Sequence, residues 1–198
     1  RHTQFNIEFI RTLVQLEKFN QAFAFSKSVW REDEFFLEID LLLGLDYFVK
    51  KDYINAEKHF KRLNKVFKYN SFGIDDFISN ILIAWSKASQ GNREESFQFI
   101  EKIPDPYFHF KKIQNTLLQC YFDYDQTQES FKELIHDKDY NFSRYNFFLV
   151  NYLLFKNKVT DAKKVIENSR KKYSSNLLIR QTESFLLSDD EKKNKNFF

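Results

Sequence analysis

At 198 residues the chain has room for one ordinary domain or five to six helical hairpins. Its 25 Phe and 10 Tyr stand against only 3 Gly and 2 Pro. That is too few turn-formers for a β-sandwich or a phosphate-cradling α/β enzyme, and it suits helices joined by short polar turns. With 31 basic and 28 acidic residues, the charge is too even to argue for nucleic acid by itself, and no run approaches the ~18 apolar residues of a membrane span.

The first pair of predicted helices covers residues 3–16, with Phe5, Phe9, Leu13 and Leu16 at helical spacing, and 19–32. The next unit, 37–70, is the clearest. Its first half carries Leu43, Gly44 and Tyr47; its second carries Tyr53, Ala56, Phe60 and Leu63, spaced three, four and three apart; Lys50, Lys51 and Asp52 form a polar turn between them. Gly44 and Ala56 let two backbones approach where the helices cross. This L-G-x-x-Y…A-x-x-x-F pattern resembles the tetratricopeptide repeat, a helix–turn–helix of about 34 residues. The resemblance implies an all-α solenoid of stacked antiparallel helix pairs in a right-handed superhelix, acting through a groove.

The pattern returns along the chain. A small residue of the second helix recurs as Ala22, Ala56, Ser96, Ser130 and Ala162, at intervals of 34, 40, 34 and 32, and a bulky one follows four positions later as Phe60, Ile100, Leu134 and Ile166. The repeats predicted are 3–36, 37–70, 75–105, 107–140 and 142–175, with a terminal helix 176–187; together they form one repeat domain, 1–187, before a charged tail, 188–198. Gly91 ends the first helix of the third repeat. Pro104 and Pro106 force a break near Ile103, and Ser143 is placed to cap the helix that follows it. Opening on Arg1 and lacking Met, the sequence reads as a fragment or processed product, with a further repeat able to precede it. Cytoplasm and periplasm both fit its single cysteine.

No motif for chemistry stands out. His2, His59, His109 and His136 lie far apart with no zinc-ligand spacing, no phosphate loop or dinucleotide fingerprint is present, and neither metal nor cofactor is expected. Asp75 with Asp76, and Glu94 with Glu95, fall at helix starts, where they complement the helix dipole. Cys120 reads as a buried thiol in a helix interior.

In tetratricopeptide arrays the first helix of each pair lines the concave surface, so the resemblance implies a protein-binding groove. Mapped by repeat register, it takes Arg11 and Val14 from the first repeat; Leu41, Leu45 and Phe48 from the second; Ile78, Ile81 and Trp85 from the third. The fourth adds Lys112, Asn115, Gln119 and Phe122, and the fifth Arg144, Phe147, Asn151 and Phe155. Such a lining suits an amphipathic helix or extended segment of another protein, with Arg144 and Lys112 favouring an acidic one. The competing reading packs these residues inside the protein. Only Lys112, Asn115 and Asn151 are similar to the set that clamps a terminal carboxylate in one subgroup, and that activity is not carried over. The function expected is a non-enzymatic interaction scaffold. Single-stranded RNA binding is the alternative from another class, but Leu41, Leu45 and Ile81 suit it poorly. A helical spacer of a larger enzyme is the third.

Overall fold

The computed structural model describes residues 3–66, 74–137 and 144–187. His2, Gly73, Ser143 and the tail lie outside them. Among the described residues the elements are eleven α-helices: α1 (Thr3–Gln15), α2 (Phe19–Val29), α3 (Leu37–Val49), α4 (Tyr53–Val66), α5 (Ile74–Ser89), α6 (Arg93–Glu101), α7 (Phe108–Tyr121), α8 (Thr127–Ile135), α9 (Tyr145–Phe155), α10 (Val159–Lys172) and α11 (Leu177–Leu187). Pro104 and Pro106 impose the expected break, filled by a 3-10 turn at Asp105–Tyr107. The chain divides into two compact units, Arg1–Leu118 and Gln119–Phe198.

Five hairpin turns share one construction. Glu17, Lys51, Gly91, Asp123 and Asn157 all adopt positive φ, between 54° and 78°. In each turn the N–H of that residue donates to the carbonyl three back, and the next N–H donates to the carbonyl five before it, as in Lys51 to Phe48 (2.9 Å) and Asp52 to Tyr47 (2.9 Å). This paired bonding satisfies carbonyls that the end of the first helix would otherwise leave open. The turn residues recur at intervals of 34, 40, 32 and 34.

Packing then gives the small residues their places. Ala22, Ala56, Ser96 and Ala162 are wholly enclosed, and Phe60, Ile100 and Ile166 lie buried four residues after the last three. Gly44 is enclosed for the same reason: a Cβ there would enter the ring of Phe60. The fourth hairpin departs from expectation. Ser130 is only half-buried, whereas Thr127, Phe131 and Leu134 are fully enclosed with the same four-then-three spacing as Ala56, Phe60 and Leu63. Thr127, not Ser130, is the inward small residue of α8.

Eleven residues before each turn residue stands a polar group: Asn6, Asp40, Asn80, Lys112 and Asn146. Asp40, Asn80 and Asn146 are buried. Asn80 Nδ2 donates to the carbonyl of Lys102 at 3.3 Å. Asp40 needs a cation, and Arg62 supplies it: Nε reaches Oδ1 at 2.8 Å, with His59 Nδ1 at 2.9 Å and the Trp30 indole N–H at 3.2 Å on the same oxygen. The rest of the guanidinium donates to the carbonyls of Arg31, Glu32 and Glu34 and packs between the rings of Trp30 and Phe35. This clamp explains why the helix expected over 19–32 stops at Val29, where Trp30 turns extended.

In the first unit, Ile10, Ile39 and Leu43 form one core with Phe25, Val29 and Trp30 against them; Ala56, Phe60, Leu63 and Ile83 form the next. In the second unit Leu149, Val150 and Leu153 of α9 are buried, as are Phe131 and Leu134 of α8, Ile166 of α10 and Ile179 of α11.

Candidate protein-binding face

The residues expected on the binding face lie on α1, α3 and α5 in the first unit and on or just before α9 in the second, with those of α7 between them in sequence. In the first unit, α3 carries Leu45 at 36% exposure, with Leu41 and Phe48 half-buried. Leu41, Phe48 and Ile78 pack partly against the Ala56–Phe60–Leu63–Ile83 core, so their inner sides serve the fold. Ile81 and Trp85 of α5 are half-buried, and the Trp85 indole donates to Gln114 Oε1 at 2.8 Å, which fixes the ring.

Between α1 and α3 lies an open pocket of about 310 Å³, walled by Ile10, Val14, Leu41 and Leu42. Arg11, Gln15 and Glu38 rim it. Arg11 Nη2 meets Glu38 Oε1 at 2.6 Å, and this bond raises the guanidinium pKa above its ordinary value. The rim is therefore an ion pair that neutralises itself, over an apolar floor.

Counted from the left-handed turn residue, Arg11 and Val14 in α1, Leu41, Leu45 and Phe48 in α3, and Ile78, Ile81 and Trp85 in α5 hold equivalent positions. In α7 the equivalent positions fall two residues before the sequence-based choice. Phe110, Ile113, Leu117 and Cys120 hold the equivalent places, not Lys112, Asn115, Gln119 and Phe122. The displacement has the same origin as the exchange of Ser130 for Thr127: in the fourth hairpin the inward small residue stands four positions after the turn residue, and the sequence-based register counted from Ser130 instead. Asn115 accordingly donates to Glu101 of α6 at 3.2 Å, and Gln119 and Phe122 are half-buried, the latter edge-on to Tyr121.

In the second unit α9 offers Phe155, with Arg144 just before its first turn, both exposed, and Phe147 and Asn151, half-buried. Asn151 commits its amide to the Phe147 carbonyl at 2.8 Å, and Phe147 sets its ring edge-on to Phe148. Leu154, one residue before Phe155, is the register equivalent of Phe48.

Other reactive groups have structural partners. Cys120, expected as a buried thiol inside a helix, is half-buried one residue from the end of α7; burial, and then the charge of Asp123, push its thiol pKa up, which disfavours the thiolate. His59 belongs to the Asp40 clamp, and His136 Nδ1 bonds the Lys132 carbonyl. Among the described residues no group of three or more His, Cys, Asp or Glu is placed to hold a metal ion, and no helix is long and apolar enough to cross a membrane. The Asp40–His59–Arg62 clamp escaped the sequence reading; its one signal was a polar residue recurring where a repeat's first helix should be apolar.

No protein-family model matches the sequence, and no curated protein matches it. Among solved structures, a thermophilic tetratricopeptide-repeat protein of Thermus thermophilus is similar, at 13% identity and a TM-score of 0.61, over 93% of this chain and 98% of that one. Consecutive helix pairs, small residues at their crossings and this likeness agree: the fold is that of a tetratricopeptide-repeat protein.

Proposed function

We propose that this chain is a non-enzymatic scaffold that binds a segment of another protein along the outer side of its first helices. The pocket between α1 and α3 carries the reading: it is apolar-walled and open, and the exposed Leu45 stands one helical turn along α3 from Leu41 of its wall. A helix or strand laying alternate apolar side chains into such a surface gains most of its affinity from a few anchors. On α5, Ile81 and Trp85 extend the face; in the second unit Phe147, Asn151 and Phe155 offer a second stretch, with Arg144 as its cation. Lys112 is not among the positions equivalent by turn register, and Arg11 is already paired with Glu38. Binding to the first unit should therefore respond little to salt, while any preference for an acidic segment belongs to Arg144.

A photo-reactive amino acid at position 45 tests this, with the exposed Lys58 of α4 as control position. The expected result is one discrete cross-linked protein from position 45, lost on Val14→Asp, with unchanged melting of the variant. Equal labelling from positions 45 and 58 would sink the reading.

A further inference from the structure

Two junctions of the array correspond position by position. Trp30 and Ile135 each stand eight residues after an enclosed small residue, Ala22 and Thr127. Counted from Ala56 and Ala162, His59 and Val165 stand three residues on, and Arg62 and Asn168 six. Asp40 and Asn146 each stand eleven before their turn residue. Where α2, α3 and α4 meet, three flat groups converge on Asp40: the Trp30 indole at 3.2 Å, the His59 imidazole at 2.9 Å and the Arg62 guanidinium at 2.8 Å. They also pack on one another, the guanidinium 5.0 Å from the Trp30 ring centre and His59 edge-on to that ring at 5.6 Å. Where α8, α9 and α10 meet, the smaller Ile135, Val165 and Asn168 hold those places, and the junction contains an open pocket of about 240 Å³. Asn146, Leu149 and Ser169, all buried, line it with them.

The pocket has a cationic rim. Lys132, His136 and Lys172 line it, and among the described residues no carboxylate does. Lys132 is held in part by Glu129 at 3.1 Å, whereas the Lys172 ammonium lies 5.2 Å from the centre of the Tyr173 ring. His136 commits Nδ1 to the Lys132 carbonyl at 2.7 Å, which leaves Nε2 for another partner. Carbonyls at the ends of α8 and α10 would oppose an anion, but that of Lys132 accepts from His136 N–H and that of Ser169 from Tyr173 N–H. We propose that this pocket binds a small planar aromatic molecule carrying one anionic group, a carboxylate or a phosphate ester. Its ring takes the place that flat side chains fill in the second repeat, against Ile135, Leu149 and Val165. Its charge meets Lys172 and His136 at the rim, apolar walls with a few polar groups being the usual make-up of such a site. The site is separate from the first-helix face and uses none of its residues.

The probes are benzoate and phenyl phosphate, titrated into the intact, methyl-labelled chain while the Leu149 and Val165 methyl resonances are followed. At least one should give saturable shifts, and which one does so identifies the anionic group. Benzyl alcohol, flat but neutral, and cyclohexanecarboxylate, charged but not flat, should each bind about tenfold more weakly, the loss of one charge-assisted hydrogen bond being of that order. Lys172→Gln, at an exposed position, should weaken the anion by a similar factor without shifting the melting curve. Asn168→Arg restores the side chain that the second repeat carries at this place, so it should abolish binding even though it adds a positive charge. Leu45→Lys should leave binding unchanged, which keeps failure here distinct from failure of the first-helix face. No saturable shift with either anion, equal affinity for benzyl alcohol, or binding undiminished in Asn168→Arg overturns the proposal.

Discussion

Backbone strain at the turns is the most direct lever at the level of single residues. Four of the five left-handed turn positions hold residues with a Cβ, for which that conformation costs about 1 kcal/mol each. Lys51→Gly should therefore stabilise by about 0.5 kcal/mol, the gain being trimmed by the freer unfolded chain. Gly91→Ala should destabilise by about 1 kcal/mol for conformational reasons alone, since a Cβ at Gly91 meets no atom within 4 Å. Urea midpoints of the two variants check both signs. The Asp40 clamp makes a larger demand. Asp40 is 1% exposed, and removing it leaves the buried Arg62 uncompensated. Asp40→Ala should cost about 3–5 kcal/mol. An unchanged midpoint would mean that the three backbone carbonyls satisfy Arg62 unaided.

At the level of helices, the register of α8 can be decided by paired substitutions. Thr127→Leu should overpack a closed crossing and cost about 1–3 kcal/mol, while Ser130→Leu, at a half-buried position, should be tolerated. The reverse order would restore the sequence-based register. That error shows what was legible. Helix positions, the Pro104–Pro106 break and the small residues Ala22, Ala56, Ser96 and Ala162 follow from period and propensity alone. At α8 the sequence offers two hydroxyl residues three apart, and Leu134 follows either at a permissible spacing; only the enclosure of Phe131 separates them. The turn residues Glu17, Lys51, Asp123 and Asn157 carry little local signal, because the conformation is imposed by two hydrogen bonds and not by glycine. The face residues of α7 inherited the same displacement. Helices α4, α5 and α6 are also tied electrostatically: Glu57 takes Lys61 at 2.6 Å and Lys87 at 3.1 Å, and Lys87 reaches Glu95 at 2.8 Å. Burial acts to raise the Glu57 carboxyl, but the two lysines outweigh it and leave the pKa below its ordinary value. A carboxyl depressed by folding stabilises above its unfolded pKa, and that contribution is lost as pH falls through the folded value. Glu57→Gln should flatten the acid limb of stability below about pH 4.5, read from urea midpoints at successive pH values.

At the level of the whole molecule, the principal helix packings join helices that are adjacent or next but one in sequence. An array built this way distributes its stability as repeat terms plus neighbour terms, so damage to one hairpin should stay near it. Ala56→Leu is a sharp probe, because Ala56 is fully enclosed and packs with Phe60, Leu63 and Ile83. The overpacking should lower the local opening free energy of α3, α4 and α5 by about 1–3 kcal/mol. Leu149, Val150 and Leu153 of α9 belong to the second unit and are not among the residues that cluster with Ala56. Native-state hydrogen exchange of α9 and α10 should therefore change by no more than about 0.5 kcal/mol, the margin within which distant sites add independently. Exchange that accelerates equally in α4 and α9 would show one cooperative folding unit, in which partner binding at one hairpin would be felt by every other. Exchange confined to α3–α5 would leave each stretch of first-helix face to bind on its own terms, and Leu45→Lys would then weaken a ligand on the first unit without touching one held by Arg144 and Phe155.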